Sequence, residues 1–479
     1  MQTPSTDRAV RVLTEHDLRR LRLRSQLLAS VPGRSTATAE PDATPGPGKT
    51  RCPGKAPGPG DTVRHLLAVQ AQNLGGACWS VGQRTPGSTR GDVEAALAAG
   101  VVVLTWPMRG TLHLVHADDA GWLLPLLTPR VAVGRGKLWR DAGLTDAVFE
   151  RAADVLFEAL GSGPMARPAV LRTLDDAGIG AGGQRGSHIL RHLAERRVII
   201  FGPRQGKTQT FMRYQDLISN GGDALGREES LRLLAVRYMT GHGPATEQDL
   251  AWWSGLTLRD SRTALALAGP DLAAITVEDR RYYLDPGALS GYDGSSEGDA
   301  RAGLAAEAAL HAGAAGNRRA SRDTAAGARL AVSARDAGQN PPLSPHTVRC
   351  SDALLPSVHL LPGFDEYHIG YADRRLILAA ENQSQVGPGK NGLFRSPVVV
   401  DGVVAGTWAA AERKGNVEVD VSLFSDPGAR TLPGVVMRPD ADVRRGVESA
   451  ADAYGRFLGL EAHAGGRPSS CRPEASQPP

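Results

Sequence analysis

The sequence predicts an α+β chain, and three observations carry that prediction. Three stretches repeat one order of elements: helices, a short apolar strand, a turn and a second strand. Residues from about 351 onward turn strand-rich, and no apolar run reaches the ~18 residues of a membrane span. At 479 residues the chain has room for roughly two to four domains.

A helical segment is expected over residues 1–31. Residues 32–60 are dominated by Pro, Gly, Thr and Ala, and 291–350 by Ala, Gly, Arg and Ser with little periodicity, so both read as disordered inserts. The tail 463–479 reads the same way. The three repeated modules fall at 61–130, 131–220 and 221–290.

In the first module Ser88-Thr89 caps a helix running to Ala99, Val101–Leu104 form a strand, Trp106-Pro107 turns and Met108–Val115 returns. On that return strand Arg109, Thr111 and His113 share one face by period two, while Leu112 and Leu114 share the other. One side is expected to pack and the other to stay polar. The second module has helices near Arg167–Ala177 and Ser187–Arg196, a strand Val198–Phe201, a basic turn from Pro203 to Lys207, and a strand Thr208–Tyr214. The third has a helix over Glu228–Thr240, helices led by Thr246 and Thr257, and a hairpin through Ile275–Val277 and Tyr282–Leu284, which contains a recognisable helix-turn-helix. Over 351–462 the run Phe394–Val400, Asp401-Gly402, Val403–Trp408 signals a tight hairpin in a small antiparallel sheet or barrel.

Charge excludes little. Lys and Arg number 55 against 51 Asp and Glu, a net +4, and the lysines are Lys49, Lys55, Lys137, Lys207, Lys390 and Lys414 alone. Arginine suits bidentate phosphate contacts, although a high-GC coding bias produces the same skew. Cys52, Cys78, Cys350 and Cys471 lie far apart without a C-x-x-C pair or a His cluster, so no metal is expected and the thiols should be reduced. The first twenty residues carry charges rather than an apolar signal core, which points to a cytoplasmic protein with no membrane partner.

The most informative local feature is Gln70-Ala71-Gln72. Val63, Leu66, Leu67 and Gln70 follow helical i, i+3, i+4, i+7 spacing, which places Gln70 on a core-facing stripe. Residues two apart converge only in extended chain, so both amides meet if the helix ends near Ala71, with Gly75-Gly76 marking the break. A buried amide without partners costs roughly 1–3 kcal/mol, and each Gln offers an acceptor and two donors, enough to hold a water or a phosphate oxygen. An amide is no base near neutral pH, so a catalytic pair would position and polarise a nucleophile against a good leaving group. Helix-end capping is the competing reading.

Two phosphate-loop look-alikes fail. Gly202–Thr208 has three residues between its glycines where four are needed and leads into a strand, and Gly48-Lys49-Thr50 lacks the earlier glycine.

Laid out this way, the chain resembles the winged-helix DNA-binding domain-containing family that includes the AlkZ-type DNA glycosylases. The matching pieces are Leu67–Gln72, Met108–Leu114, Gly243–Thr246 through Asp249–Leu256, Leu361–Tyr367, and Val400–Gly402 to Gly406–Trp408, in the family's order. The resemblance implies three tandem winged helices followed by a small C-terminal antiparallel β-barrel, curved around duplex DNA, with Gln70-Ala71-Gln72 as the catalytic Gln-Φ-Gln element. A related branch carries aspartate at the second polar position, so Gln72 points to the branch that unhooks bulky adducts and interstrand crosslinks. The two inserts depart from the family's pattern.

The implied reaction is hydrolysis of the N-glycosidic bond of alkylated purines in double-stranded DNA. It needs no cofactor and is carried by a monomer associated with the nucleoid. An N7- or N3-alkylated purine is already a cationic leaving group, so Gln70 and Gln72 need only aim a water at C1′ or stabilise the developing sugar cation. Arg109, Thr111 and His113 would line DNA on the first wing, and Arg204 and Lys207 at the second wing's tip would contact phosphates. Asp365 and Glu366 compete for catalysis as carboxylates that could activate water, or else anchor the barrel beside Tyr367. A transcription regulator is the alternative from another class, although no long dimerisation heptad is present.

Overall fold

A computed structural model describes residues 13–29, 57–218, 225–289, 356–387, 392–425, 432 and 440–466. These residues belong to one unit formed by 1–290 and 355–479. Most of the segments read as inserts, 32–56 and 291–350, and the tail from 467 lie outside the described residues.

The helix α1 (Glu15–Ser25) opens on Thr14, whose hydroxyl accepts from the Asp17 N–H while the Asp17 carboxylate accepts from the Thr14 N–H. The helix α2 (Pro59–Leu66) follows, with Pro59 in its first turn. It is C-capped by Leu67, a non-glycine residue at φ +67°. Such a backbone costs of order 1–3 kcal/mol, and full burial of the Leu67 side chain, worth about 1.5–3 kcal/mol, offsets it. The helix therefore ends at Leu66, four residues before the Gln70 to which its apolar spacing runs. Gln70 lies not on a helix but at the end of β1 (Ala68–Gln70).

Next come α3 (Leu74–Gly82), capped by Asn73, and α4 (Arg90–Ala98), capped by Thr89. Gly75 and Gly76 do not break the chain but form the first turn of α3. The strands β2 (Val102–Met108) and β3 (Thr111–His116) complete a three-stranded sheet of order β1-β3-β2. Here the predicted turn is corrected: Trp106-Pro107 sits inside β2, where a register shift between Thr105 and Met108 on an edge strand tolerates a residue without an N–H. The turn falls at Arg109 (φ +49°) and Gly110 (φ +76°). Arg109 is therefore a turn residue rather than a member of the return strand's polar face. Alternate residues of this sheet feed two cores, Val69, Leu104 and Leu114 on one side and Ala68, Val103 and Val115 on the other.

The helix α5 (Ala117–Val133) leads to α6 (Gly136–Asp141), α7 (Asp146–Ala159), β4 (Met165–Ala166), α8 (Arg167–Asp176), α9 (Gln184–Glu195) and the hairpin β5 (Ile199–Gln205)–β6 (Thr208–Arg213), a sheet of order β4-β6-β5. Then α10 (Tyr214–Leu217), α11 (Arg227–His242), α12 (Glu247–Ser254) and α13 (Leu258–Leu267) precede the two-stranded β7 (Ala273–Val277)–β8 (Arg280–Leu284). Each of the three small sheets thus follows helices, the order that the sequence repeats.

The C-terminal region is a five-stranded sheet of order β13-β12-β11-β10-β9, built from β9 (Val358–Leu360), β10 (Ser396–Val400), β11 (Val403–Arg413), β12 (Asn416–Leu423) and β13 (Glu461–Gly466). The hairpin at Asp401 (φ +48°) and Gly402 (φ +84°) is the predicted one. Two expectations are corrected. The sheet is not wholly antiparallel, because β13 pairs parallel to β12 after a crossover through the helix Asp440–Leu458. Residues 463–466, read as tail, belong to β13. Among the described residues no helix is long and apolar enough to cross a membrane.

Candidate active site

Gln70 pairs directly across from His113, and the neighbouring Ala71 N–H donates to the Leu112 carbonyl at 2.7 Å. Extended chain then turns Gln70 and Gln72 to the same side, and the Gln70 Nε2 donates to the Gln72 Oε1. Gln70 is nearly buried, at 7% exposure, whereas Gln72 is exposed. Both line a cavity of about 520 Å3.

A guanidinium fixes the inner amide. Arg109 Nη2 donates to Gln70 Oε1 at 3.1 Å and lies 3.4 Å from His113 Nε2. His113 Nδ1 is 3.0 Å from the Thr111 carbonyl, which suits a proton on Nδ1 and leaves Nε2 to accept from Arg109. Burial and the adjacent Arg109 charge push the His113 imidazole down to about 4, so it is neutral at pH 7. The result is a directed chain: Arg109 donates to Gln70, and Gln70 donates to Gln72. Each amide retains a carbonyl lone pair and at least one N–H beyond these bonds.

The two carboxylates that sequence placed in competition are fully buried and occupied by donors. Glu366 accepts from the Gln70 backbone N–H at 3.0 Å and from Trp253 Nε1 at 2.8 Å, with His242 Nε2 at 3.4 Å. Burial alone would raise its carboxyl, but His242, His113 and Arg109 outweigh burial and hold it at about 2. Asp365 accepts from Arg84 at 2.7 and 2.8 Å, from Ser80 Oγ at 2.7 Å and from the Tyr367 N–H at 2.9 Å. Neither lines the cavity. Glu366 braces the strand carrying Gln70, and Asp365 caps the helix Glu366–Ile369 while pairing with α3's neighbour Arg84.

The other predicted residues scatter. Thr111 closes the turn by donating to the Met108 carbonyl at 3.4 Å. His113, expected on an outward polar face, is corrected to the interior, because its side of β3 is covered and it has 0% exposure. Arg204 and Lys207 are exposed at the β5–β6 tip, where Arg204 donates to the Lys207 carbonyl at 2.6 Å; neither lines the cavity.

Sequence reasoning missed most of the cavity wall: Asn73 and Gly76 at the start of α3, Phe364 and Phe394, Trp408 and Tyr454, and Glu412 beside Arg90. Glu412 is the one acidic residue among the described lining residues, and it faces Arg90 at 3.6 Å. The run Leu361–Phe364 and the hairpin from Phe394 to Trp408 were the available signals; nothing local marks Asn73 or Glu412. A larger cavity of about 810 Å3 lies beside Arg22, Asp249, Arg280 and Asp373, where Arg22 pairs with Asp249 at 3.7 Å and Arg280 with Asp373 at 2.8 Å.

The "DNA glycosylase AlkZ-like" family model matches residues 63–310 and 300–457. A curated relative, the "Interstrand DNA cross-link repair glycosylase" of Streptomyces sahachiroi, is 26% identical over 378 residues, covering 76% of this chain and 85% of its own. The solved structure of Streptomyces sahachiroi DNA glycosylase AlkZ matches with a TM-score of 0.62 at 21% identity, over 95% of this chain and 100% of that one, a likeness of fold. The matched residues span most of the chain, including the amide pair, its bracing carboxylate and four of the five strands of the C-terminal sheet: the chain belongs to the AlkZ-like DNA glycosylase family.

Proposed function

We propose that this enzyme hydrolyses the N-glycosidic bond of alkylated purines in double-stranded DNA, including bulky and interstrand-crosslinked N7 adducts. The observation that carries the reading is the Gln70–Gln72 amide pair, hydrogen-bonded to each other and lining a cavity that the neighbouring carboxylates Asp365 and Glu366 do not reach. The crosslink substrate comes from the relative's name.

In this mechanism a water donates to the free lone pair of one amide carbonyl and approaches the sugar C1′. An oxygen–C1′ bond forms as the C1′–N9 bond breaks. The bonding electron pair neutralises the purine cation, and the surplus proton passes from the attacking water to solvent. The leaving base carries its own activation, so positioning and dipoles suffice and no general acid is required. Arg109 polarises the Gln70 amide, so the Gln72 carbonyl, farther from that charge, is the better place for the developing sugar cation.

The three helix-then-hairpin modules are read as winged helices along duplex DNA. The exposed Arg204 and Lys207 supply phosphate contacts, which raise affinity without reading sequence, and Arg109 and Thr111 border the site from the first hairpin. His113 supports Arg109 from within. The protein acts as a monomer on nucleoid DNA and needs no cofactor.

The test is base release from duplexes bearing N7-methylguanine or a nitrogen-mustard crosslink, revealed as alkali-labile sites. We expect release by the wild type, and a loss of about 100- to 1,000-fold in Gln70→Ala and Gln72→Ala, the scale of one preorganised polar group. Unchanged release in both variants overturns the amide mechanism. A comparable loss in Glu412→Gln would transfer the water-activating role to that carboxylate.

A further inference from the structure

Trp252 is exposed to 48% of its surface, although it sits on α12 next to the fully buried Trp253. It is not loose. Its indole N–H donates to the Ile369 carbonyl at 3.2 Å, and the Arg374 guanidinium lies 5.8 Å from its ring centre. The same guanidinium lies 5.3 Å from the Phe394 ring, and its Nε is held by the His368 carbonyl at 2.9 Å. Phe394 in turn meets Phe364 edge to face at 5.9 Å, and both phenyl rings line the cavity that holds Gln70 and Gln72. Arg374 is also close enough to Arg109 for the two charges to oppose each other.

An indole and a guanidinium thus form a fixed ledge beyond the cavity, joined to the amide site through the Phe394 ring that lines it. A solvated tryptophan face pinned by a backbone hydrogen bond forgoes the burial that its large apolar surface would otherwise gain. Flat π-surfaces beside a guanidinium are what unstacked nucleobases bind. The lesion's own base belongs beside the amides, because the C1′ under attack must lie there. The ledge is offset from that point, which leaves it for another base of the same duplex.

Resting on the glycosylase reading above, we propose that Trp252, with Arg374, is a stacking ledge for the unpaired base opposite the lesion. It holds the duplex open while the amides act.

Two duplexes test this, both carrying N7-methylguanine, one with cytosine opposite and one with an abasic spacer opposite. With cytosine opposite, Trp252→Ala should lower single-turnover release by about 5- to 150-fold, the range that base–aromatic stacking supports. Trp252→Phe should keep most of the rate. With the spacer opposite, the Trp252→Ala penalty should vanish, because there is no base to receive. An equal penalty on both duplexes indicates a merely structural role and overturns the ledge, as does no penalty on either. The same comparison read as binding affinity decides for or against the ledge even if the wild type releases no base, a result that would instead strike the glycosylase reading of these substrates.

Discussion

Replacing Arg109 by Met separates two roles that this residue could play. In the structure its Nη2 reaches inward to Gln70 Oε1 at 3.1 Å and sits 3.4 Å from His113 Nε2. Methionine keeps an unbranched stem and removes the donors. A hydrogen bond from a charged donor contributes about 1.5–3 kcal/mol. If that energy holds the Gln70 amide in its working orientation, base release by the saturated complex should fall about 10- to 150-fold, at tenfold per 1.36 kcal/mol. Were Arg109 chiefly a phosphate contact, binding would weaken instead and the slope of log affinity against log salt would become shallower by about 0.9. The assay is single-turnover release at saturating enzyme, run beside a salt titration of duplex binding. A shallower slope with an intact release rate would refute the positioning role.

Three further outcomes follow from buried groups. Arg84→Met should destabilise the fold by about 3–5 kcal/mol in urea, because it strands the fully buried Asp365 carboxylate; a loss below about 1 kcal/mol would show that water reaches the pair. Glu366→Gln must set an NH2 group against either the Gln70 N–H or the Trp253 and His242 donors, which costs about 1–3 kcal/mol and should shift the urea midpoint down. Stability should also fall with acid. Burial depresses His113 to about 4 and His368 to about 3, so the unfolded chain binds more protons below its ordinary value near 6.5. Their contribution is complete above about pH 6.5 and is lost towards pH 4 and 3, at about 1.4 kcal/mol per pH unit for each group. Glu366, held at about 2, adds a loss in the same direction below about pH 4.3. A urea midpoint flat between pH 7 and 5 would contradict the histidine part.

Local chemistry made some elements legible and hid others. The Asp401-Gly402 hairpin was readable because its two residues must adopt positive φ, a demand met within the turn itself. The meeting of Gln70 and Gln72 was readable from their spacing, but the element beneath them was not. Val63 and Leu66 obey a helical period that ends at Leu67 only because distant partners claim the next backbone N–H groups: the Gln70 N–H goes to Glu366, 296 residues away, and the Ala71 N–H to Leu112. The turn assigned to Trp106-Pro107 failed for a related reason, since proline breaks a central strand but an irregular edge strand admits it. The helix Asp440–Leu458 was legible and unread: Val443, Val447, Ala451, Tyr454 and Leu458 recur at helical spacing along the face packed on the core.

The carboxylates mark the sharper limit. Asp365 and Glu366 are the residue types that activate water, and a sequence shows the type without showing which lone pairs are spent. Counting donors settles their state: Asp365 is met by Arg84, Ser80 and the Tyr367 N–H, and Glu366 by Gln70, Trp253 and His242. A carboxylate so engaged, with no exposed surface, would have to break two or more charge-assisted bonds to take a proton from water, at about 1.5–3 kcal/mol each. The amide pair faces no such cost, because its remaining lone pairs and N–H groups belong to residues that already line the cavity. The negative charge sits one layer back, where Glu366 accepts from the Gln70 N–H and braces the strand that presents the neutral amides to the cavity; in the proposed mechanism the leaving base supplies the charge.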